Sequence, residues 1–112
     1  MIWKNLSLSL LLVFCLASCL SSKQSVSITG KIVEASCGQC NFGLPGSGCD
    51  LAIRIDGQAY YVEGSNIDDH GDAHADDGFC ETIRKAKVDG KVVNNRFEAV
   101  YFELIPIEEE EN

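Results

Sequence analysis

Cationic side chains are in short supply. The chain has 9 Lys and Arg against 17 Asp and Glu, a formal net charge of −8. Affinity for nucleic acid comes largely from Lys and Arg neutralising phosphates, so this balance excludes a nucleic-acid partner. Arg84, Lys85, Lys87 and Lys91 lie close together, but Glu81, Asp89 and Glu98 are interspersed and the segment reads as a mixed surface. A long apolar run is missing too. The stretch from about Leu6 to Leu16 falls short of the ~20 residues that a spanning helix needs. With 112 residues there is room for one small domain and none for a second. No segment repeats.

What is present begins with an address. Lys4 supplies a brief positive region, the apolar run follows, and small residues stand before a cleavage point, the three parts of an export signal. Leu16-Ala17-Ser18-Cys19 reads as a bacterial lipobox and resembles the pattern cut by lipoprotein signal peptidase. Residues 1–18 are then the signal peptide and Cys19 is the lipidation site, carrying palmitate-type chains on its sulfur and its amine. Residues 19–25, with the polar run Ser21-Ser22-Lys23-Gln24-Ser25, form the acylated tether. An ordinary secretory signal with an incidental cysteine is the alternative. Two or more acyl chains anchor firmly, since each buried methylene contributes ~0.8 kcal/mol. Leu20 is not the aspartate that holds many enteric lipoproteins at the inner membrane, so the outer membrane of the cell envelope is the expected location. Loss of residues 1–18 removes Lys4 and no acid, taking the net charge from −8 to −9.

Residues 26–107 form the domain, and 108–112 are an acidic, solvated tail. Val26 to Ile32 alternates apolar and polar residues, as does Leu51 to Asp56, the pattern of half-buried strands. Asp56-Gly57 is a strong two-residue hairpin signal, with Ala59-Tyr60-Tyr61-Val62 as the return strand. Lys87–Val93 and Arg96–Ile105 make a second hairpin. Asn94-Asn95 or the competing Asp89-Gly90 turns it, so its register stays open. Between the third and fourth strands, Asp76 or Asp77 can cap a short helix with Phe79, Ile83 and Ala86 on one face. Three strands, a helix and two strands is the order of a five-stranded OB-like barrel, and mainly-β is the expected class. An open sheet with one packed helix is the second choice.

Chemistry concentrates in sulfur and imidazole. Cys15 leaves with the signal and Cys19 takes lipid, which leaves Cys37, Cys40, Cys49 and Cys80. An even number of cysteines in a small exported domain reads as disulfides. Four cysteines allow three pairings, and a bond from Cys80 to the 37–49 loop is the preferred one. Each bond contributes ~2–4 kcal/mol. The alternative is a metal site. Cys37-x2-Cys40 with His70-x3-His74 has the ligand types and local spacings of tetrahedral zinc, and copper suits the same donors. Either Cys49 or Cys80 can join that set. The acids of Asp68 to Asp77 can orient the imidazoles as hydrogen-bond acceptors. A redox reading is weaker, because no helix N-terminus or βαβ unit frames the Cys-x-x-Cys pair. A calcium loop starting at Asn66 has His70 at its fifth position and Asp77 in place of the usual twelfth-position Glu. It reads as an acidic surface loop.

Cys37-Gly-Gln-Cys40, Gly48-Cys49-Asp50-Leu51, the segment from Ile67 through His70-Gly-Asp-Ala-His74 to Ala75, and Gly78-Phe79-Cys80 resemble a family of short exported bacterial proteins of unknown function. The resemblance covers about residues 26–105. Members sometimes carry the label glutaminyl-tRNA synthetase, an activity for which this chain lacks a nucleotide-binding catalytic domain. The resemblance implies that the Cys/His residues act as one site. The expectation is a membrane-anchored envelope lipoprotein, not an enzyme, that binds through its lipid anchor to the membrane and presents a disulfide-stapled interaction module without a cofactor. The alternative is a zinc- or copper-binding lipoprotein using Cys37, Cys40, His70 and His74.

Overall fold

The computed structural model describes residues 25–107. The expected signal peptide, Cys15, Cys19 and the acidic tail lie outside the described residues. Five strands run Val26–Cys37 (β1), Leu51–Ile55 (β2), Gln58–Glu63 (β3), Arg84–Val93 (β4) and Arg96–Leu104 (β5). They close in the order β1-β2-β3-β5-β4. β3 meets β5 in parallel, while β4 closes antiparallel onto β1. This is the OB-type barrel expected from the element order.

β1 continues past Ile32 to Cys37 because it serves two neighbours. Its first part pairs with β4; from Glu34 onward it also pairs with β2. A bulge between Ile28 and Lys31 separates two registers, and Gly30 bends the strand there at φ 62°, a conformation that favours glycine. Beyond the bulge Val33, Ala35 and Cys37 alternate into the core.

Both hairpins use two positive-φ residues, the turn whose twist matches paired strands. Asp56 and Gly57 lie at φ 49° and 87°, Asn94 and Asn95 at 51° and 63°. The second turn therefore falls at Asn94-Asn95. Asp89-Gly90 stays within β4, opposite a bulge at which Val100 of β5 is left without a partner. A Cβ on Gly90 would meet the Phe97 ring at 2.7 Å and would collide with the Glu98 carbonyl.

A helical turn does separate β3 from β4, but it is the 3-10 turn Ile67–His70 (η1). Asn66 and Asp69 form a reciprocal capping box at its start. No helix spans 77–86, where the sequence pattern placed one. Arg84, Ala86 and Val88 are buried at every second position, so the strand period prevails over the helical one. Ile83, assigned to the helix's core face, is 41% exposed. Gly78 is held in a tight turn where a Cβ would collide with the Asp72 and Ala73 carbonyls. Phe97, Ile53 and Val88 are among the largest fully buried side chains of the core, which Phe79 and Ile67 join.

Candidate metal centre

The last residue of β1 places the first sulfur. Cys37 is fully buried, and its N–H donates to the Phe79 carbonyl at 3.0 Å. It also caps a single helical turn, Gly38–Asn41 (α1), where a plain loop was expected. The Cys40 N–H donates to Cys37 Sγ at 3.2 Å. Only glycine fits at position 38: a Cβ would meet Tyr61 Cε1 at 2.7 Å and Leu44 Cδ1 at 3.0 Å.

The second arm is held by an amide clamp. Gln39 Nε2 donates to Asp50 Oδ2 at 2.7 Å, and Asp50 N–H donates back to Gln39 Oε1 at 2.9 Å. Gly38 N–H reaches the Asp50 carbonyl at 2.8 Å. Cys49, next to Asp50, is thereby brought against Cys40, with the two Sγ atoms 3.5 Å apart. The third arm is the turn before β4. Cys80 N–H donates to the Ala73 carbonyl at 2.9 Å. Ser36, fully buried, ties this turn to β1. Its Oγ lies 2.7 Å from the Phe79 carbonyl and 2.9 Å from that of Thr82. Asn41 Nδ2 donates to Ser36 Oγ at 2.8 Å and to the Phe79 carbonyl at 3.1 Å.

These three arms bring four sulfurs together. The Sγ atoms of Cys37, Cys40, Cys49 and Cys80 all lie within 4.8 Å of one another. Cys37 and Cys40 are joined as a disulfide; Cys49 and Cys80 are free thiols. The preferred pairing of Cys80 with the 37–49 loop is therefore not the one formed, although Cys80 does lie against that loop. Its thiol is pushed up to about 11, first by burial, then by its hydrogen bond to Cys49 and by the negative charge of Cys49, Glu81 and Asp68.

Neither histidine belongs to the cluster, which corrects the Cys37, Cys40, His70, His74 ligand set. His70 Nε2 is hydrogen-bonded to Ser65 Oγ at 2.7 Å. Its ring packs edge-on against Phe79 and lies 4.7 Å from the Phe102 ring. Burial lowers its pKa below 6.5, opposed by the charge of Asp69. His74 is exposed in the turn. The neighbouring acids shape the backbone and do not orient imidazoles for a metal: Asp69 accepts from Asn66 N–H and Asp72 from His74 N–H. The residues that sequence reading missed are Ser36, Gln39, Asn41 and Asp50. Their one sequence signal is position, immediately beside Cys37, Cys40 and Cys49.

The fold and the cluster together define a small OB-type barrel domain with a four-cysteine corner. Residues 31–105 match DUF6370, a family of unknown function, and the chain belongs to that family. No curated protein and no solved structure matches it.

Proposed function

We propose that this domain is a non-enzymatic metal-binding module, held at the bacterial cell envelope by lipid on Cys19, and that its reduced cluster takes one thiophilic cation. The observation that carries this reading is the mutual approach of four sulfurs within 4.8 Å. A tetrahedral shell with zinc–sulfur bonds of about 2.3 Å sets its sulfurs about 3.8 Å apart, so small side-chain movements suffice. An all-sulfur tetrahedral set suits zinc first, with copper(I) as the soft competitor. Asp68 and Glu81 add negative potential near Cys80, and a bound cation reverses the penalty they impose on a thiolate. Cys40 and Cys49 are exposed, which leaves the ion open to exchange with solvent-side carriers.

β1 begins at Val26, just after the proposed tether in sequence, and ends at Cys37 of the cluster. The eleven intervals between its twelve residues, at about 3.3 Å each, make roughly 36 Å of contour along the bent strand. Leu20 after Cys19 favours the outer membrane.

The protein, reduced and then gel-filtered after zinc addition, is expected to retain one equivalent of zinc, and Cys37→Ser to retain little. A fully reduced wild type without metal overturns the reading. Anchoring is checked separately by palmitate labelling. Cys19→Ala is expected to abolish incorporation and release the protein from membranes. An unlabelled wild type overturns the lipid assignment.

A further inference from the structure

Two of the four sulfurs are already bonded, so occupancy of the proposed metal site depends on redox state. We infer that the Cys37–Cys40 disulfide is the locked form of the site, and that Cys49 is the resident thiol that opens it by exchange at Cys40. This inference rests on the metal-binding reading and adds its regulation. Cys37 is fully buried, so a thiol from solvent has no route to its sulfur. Cys40 and Cys49 are exposed, and their sulfurs lie 3.5 Å apart. Cys40 Sγ is therefore the sulfur of the disulfide that can be attacked, and Cys49 is the thiol already beside it.

The exchange needs no oxidant. Cys49 gives its proton to water, and its thiolate attacks Cys40 Sγ. A Cys40–Cys49 bond forms as the Cys37–Cys40 bond breaks. The electron pair goes to Cys37 Sγ, which takes up a proton. Cys37 keeps the Cys40 N–H within 3.2 Å of its sulfur, a donor that steadies the leaving thiolate. The new disulfide joins two exposed residues, where a protein dithiol of the envelope can reach it. One thiolate of that dithiol forms a mixed disulfide, and its second thiol resolves it. The dithiol is oxidised to a disulfide, and two electrons and two protons leave Cys40 and Cys49 as thiols. Four cysteines are then free to bind a divalent cation, releasing their protons.

The test uses the full-length protein purified in detergent without reductant. Differential alkylation read cysteine by cysteine reports each linkage, with dithiothreitol as the dithiol probe and zinc as the metal probe. Oxidised wild type is expected to show both 37–40 and 40–49 linkages and to bind almost no zinc, with binding restored on reduction. Cys49→Ser is expected to show only the 37–40 linkage and to be reduced about tenfold more slowly. Cys80→Ser should keep the exchange while losing zinc. Absence of the 40–49 linkage, with an unchanged reduction rate in Cys49→Ser, overturns the relay. Equal zinc binding by oxidised and reduced protein overturns the gating. A fully reduced protein that takes no zinc overturns the metal reading instead, and the linkage map remains readable in that case.

Discussion

Replacing Ser36 by alanine removes one oxygen and tests whether the sulfur arms are held by hydrogen bonding. Ser36 is fully buried. Its single proton serves the Phe79 carbonyl at 2.7 Å and the Thr82 carbonyl at 2.9 Å, while its oxygen accepts from Asn41 Nδ2 at 2.8 Å. The losses are unequal. The Phe79 carbonyl keeps Cys37 N–H at 3.0 Å and Asn41 Nδ2 at 3.1 Å, so neither it nor the Asn41 amide is stranded. Thr82's carbonyl loses its Ser36 donor. One orphaned, partly buried acceptor plus weakened neighbours costs about 1–2 kcal/mol. For a domain of this size that lowers Tm by about 5–10 °C. Urea unfolding followed by circular dichroism measures the difference, with the m-value unchanged. Zinc affinity of the reduced variant, read by chelator competition, should fall at least about tenfold, as when supporting partners of metal ligands are removed. Ser36→Ala within 0.3 kcal/mol of wild type, a margin of about experimental error, and with unchanged zinc affinity, would refute this account of how the arms are tied.

Two further predictions concern the barrel and its histidine. Phe97 is fully buried and pairs with Val62 on one side and Val92 on the other. Phe97→Ala is expected to cost about 3–5 kcal/mol, visible as loss of dispersed methyl signals by NMR; a well-folded variant with an unshifted urea midpoint would contradict the core assignment. His70 has a folded pKa below its unfolded value of 6.5, because burial disfavours the imidazolium. Above pH 6.5 the residue is neutral in both states. As pH falls below 6.5 the unfolded chain takes up the proton first, so stability drops until the folded pKa is passed, then levels. The fall in urea midpoint from pH 7 to 5.5 should be smaller in His70→Gln than in wild type. Identical slopes, or an NMR titration midpoint of 6.5 or above, would remove the proposed burial effect.

The hairpins and the order of elements along the chain were legible because their signals are local, although the second hairpin kept two candidate turns. Asp56-Gly57 and Asn94-Asn95 need only backbone permissiveness, and both turns formed where those pairs stand. The helix was misplaced because Phe79, Ile83 and Ala86 satisfy a helical spacing that burial does not respect. Ala86 and Val88 belong to a strand alternation that starts at Arg84, and Arg84's charge hides its membership. That guanidinium is buried because its Nη1 donates to the Asp77 carbonyl and its Nη2 to that of Ile105. Hydrogen bonds to two remote carbonyls override the usual exclusion of arginine from the interior, and nothing local to Arg84 announces them.

The same distinction between local and long-range order explains the site. Cys37-x2-Cys40 was recognisable from its local spacing alone, while the helical turn that sets its geometry was read as loop. The partners of that pair were not, because three segments must meet before they are chosen. β1 ends where β2 begins on one side, Cys37 pairing with Leu51. Closure of β4 onto β1, with Ala35 opposite Arg84, carries the preceding turn and Cys80 to the same corner. Cys49 and Cys80 are thus placed by strand pairing, whereas His70 is drawn away by ring packing on Phe79 and Phe102. A histidine beside a run of aspartates has metal-ligand spacing in one dimension. In three dimensions its nitrogen already has a serine partner, and barrel closure leaves the corner to sulfur alone.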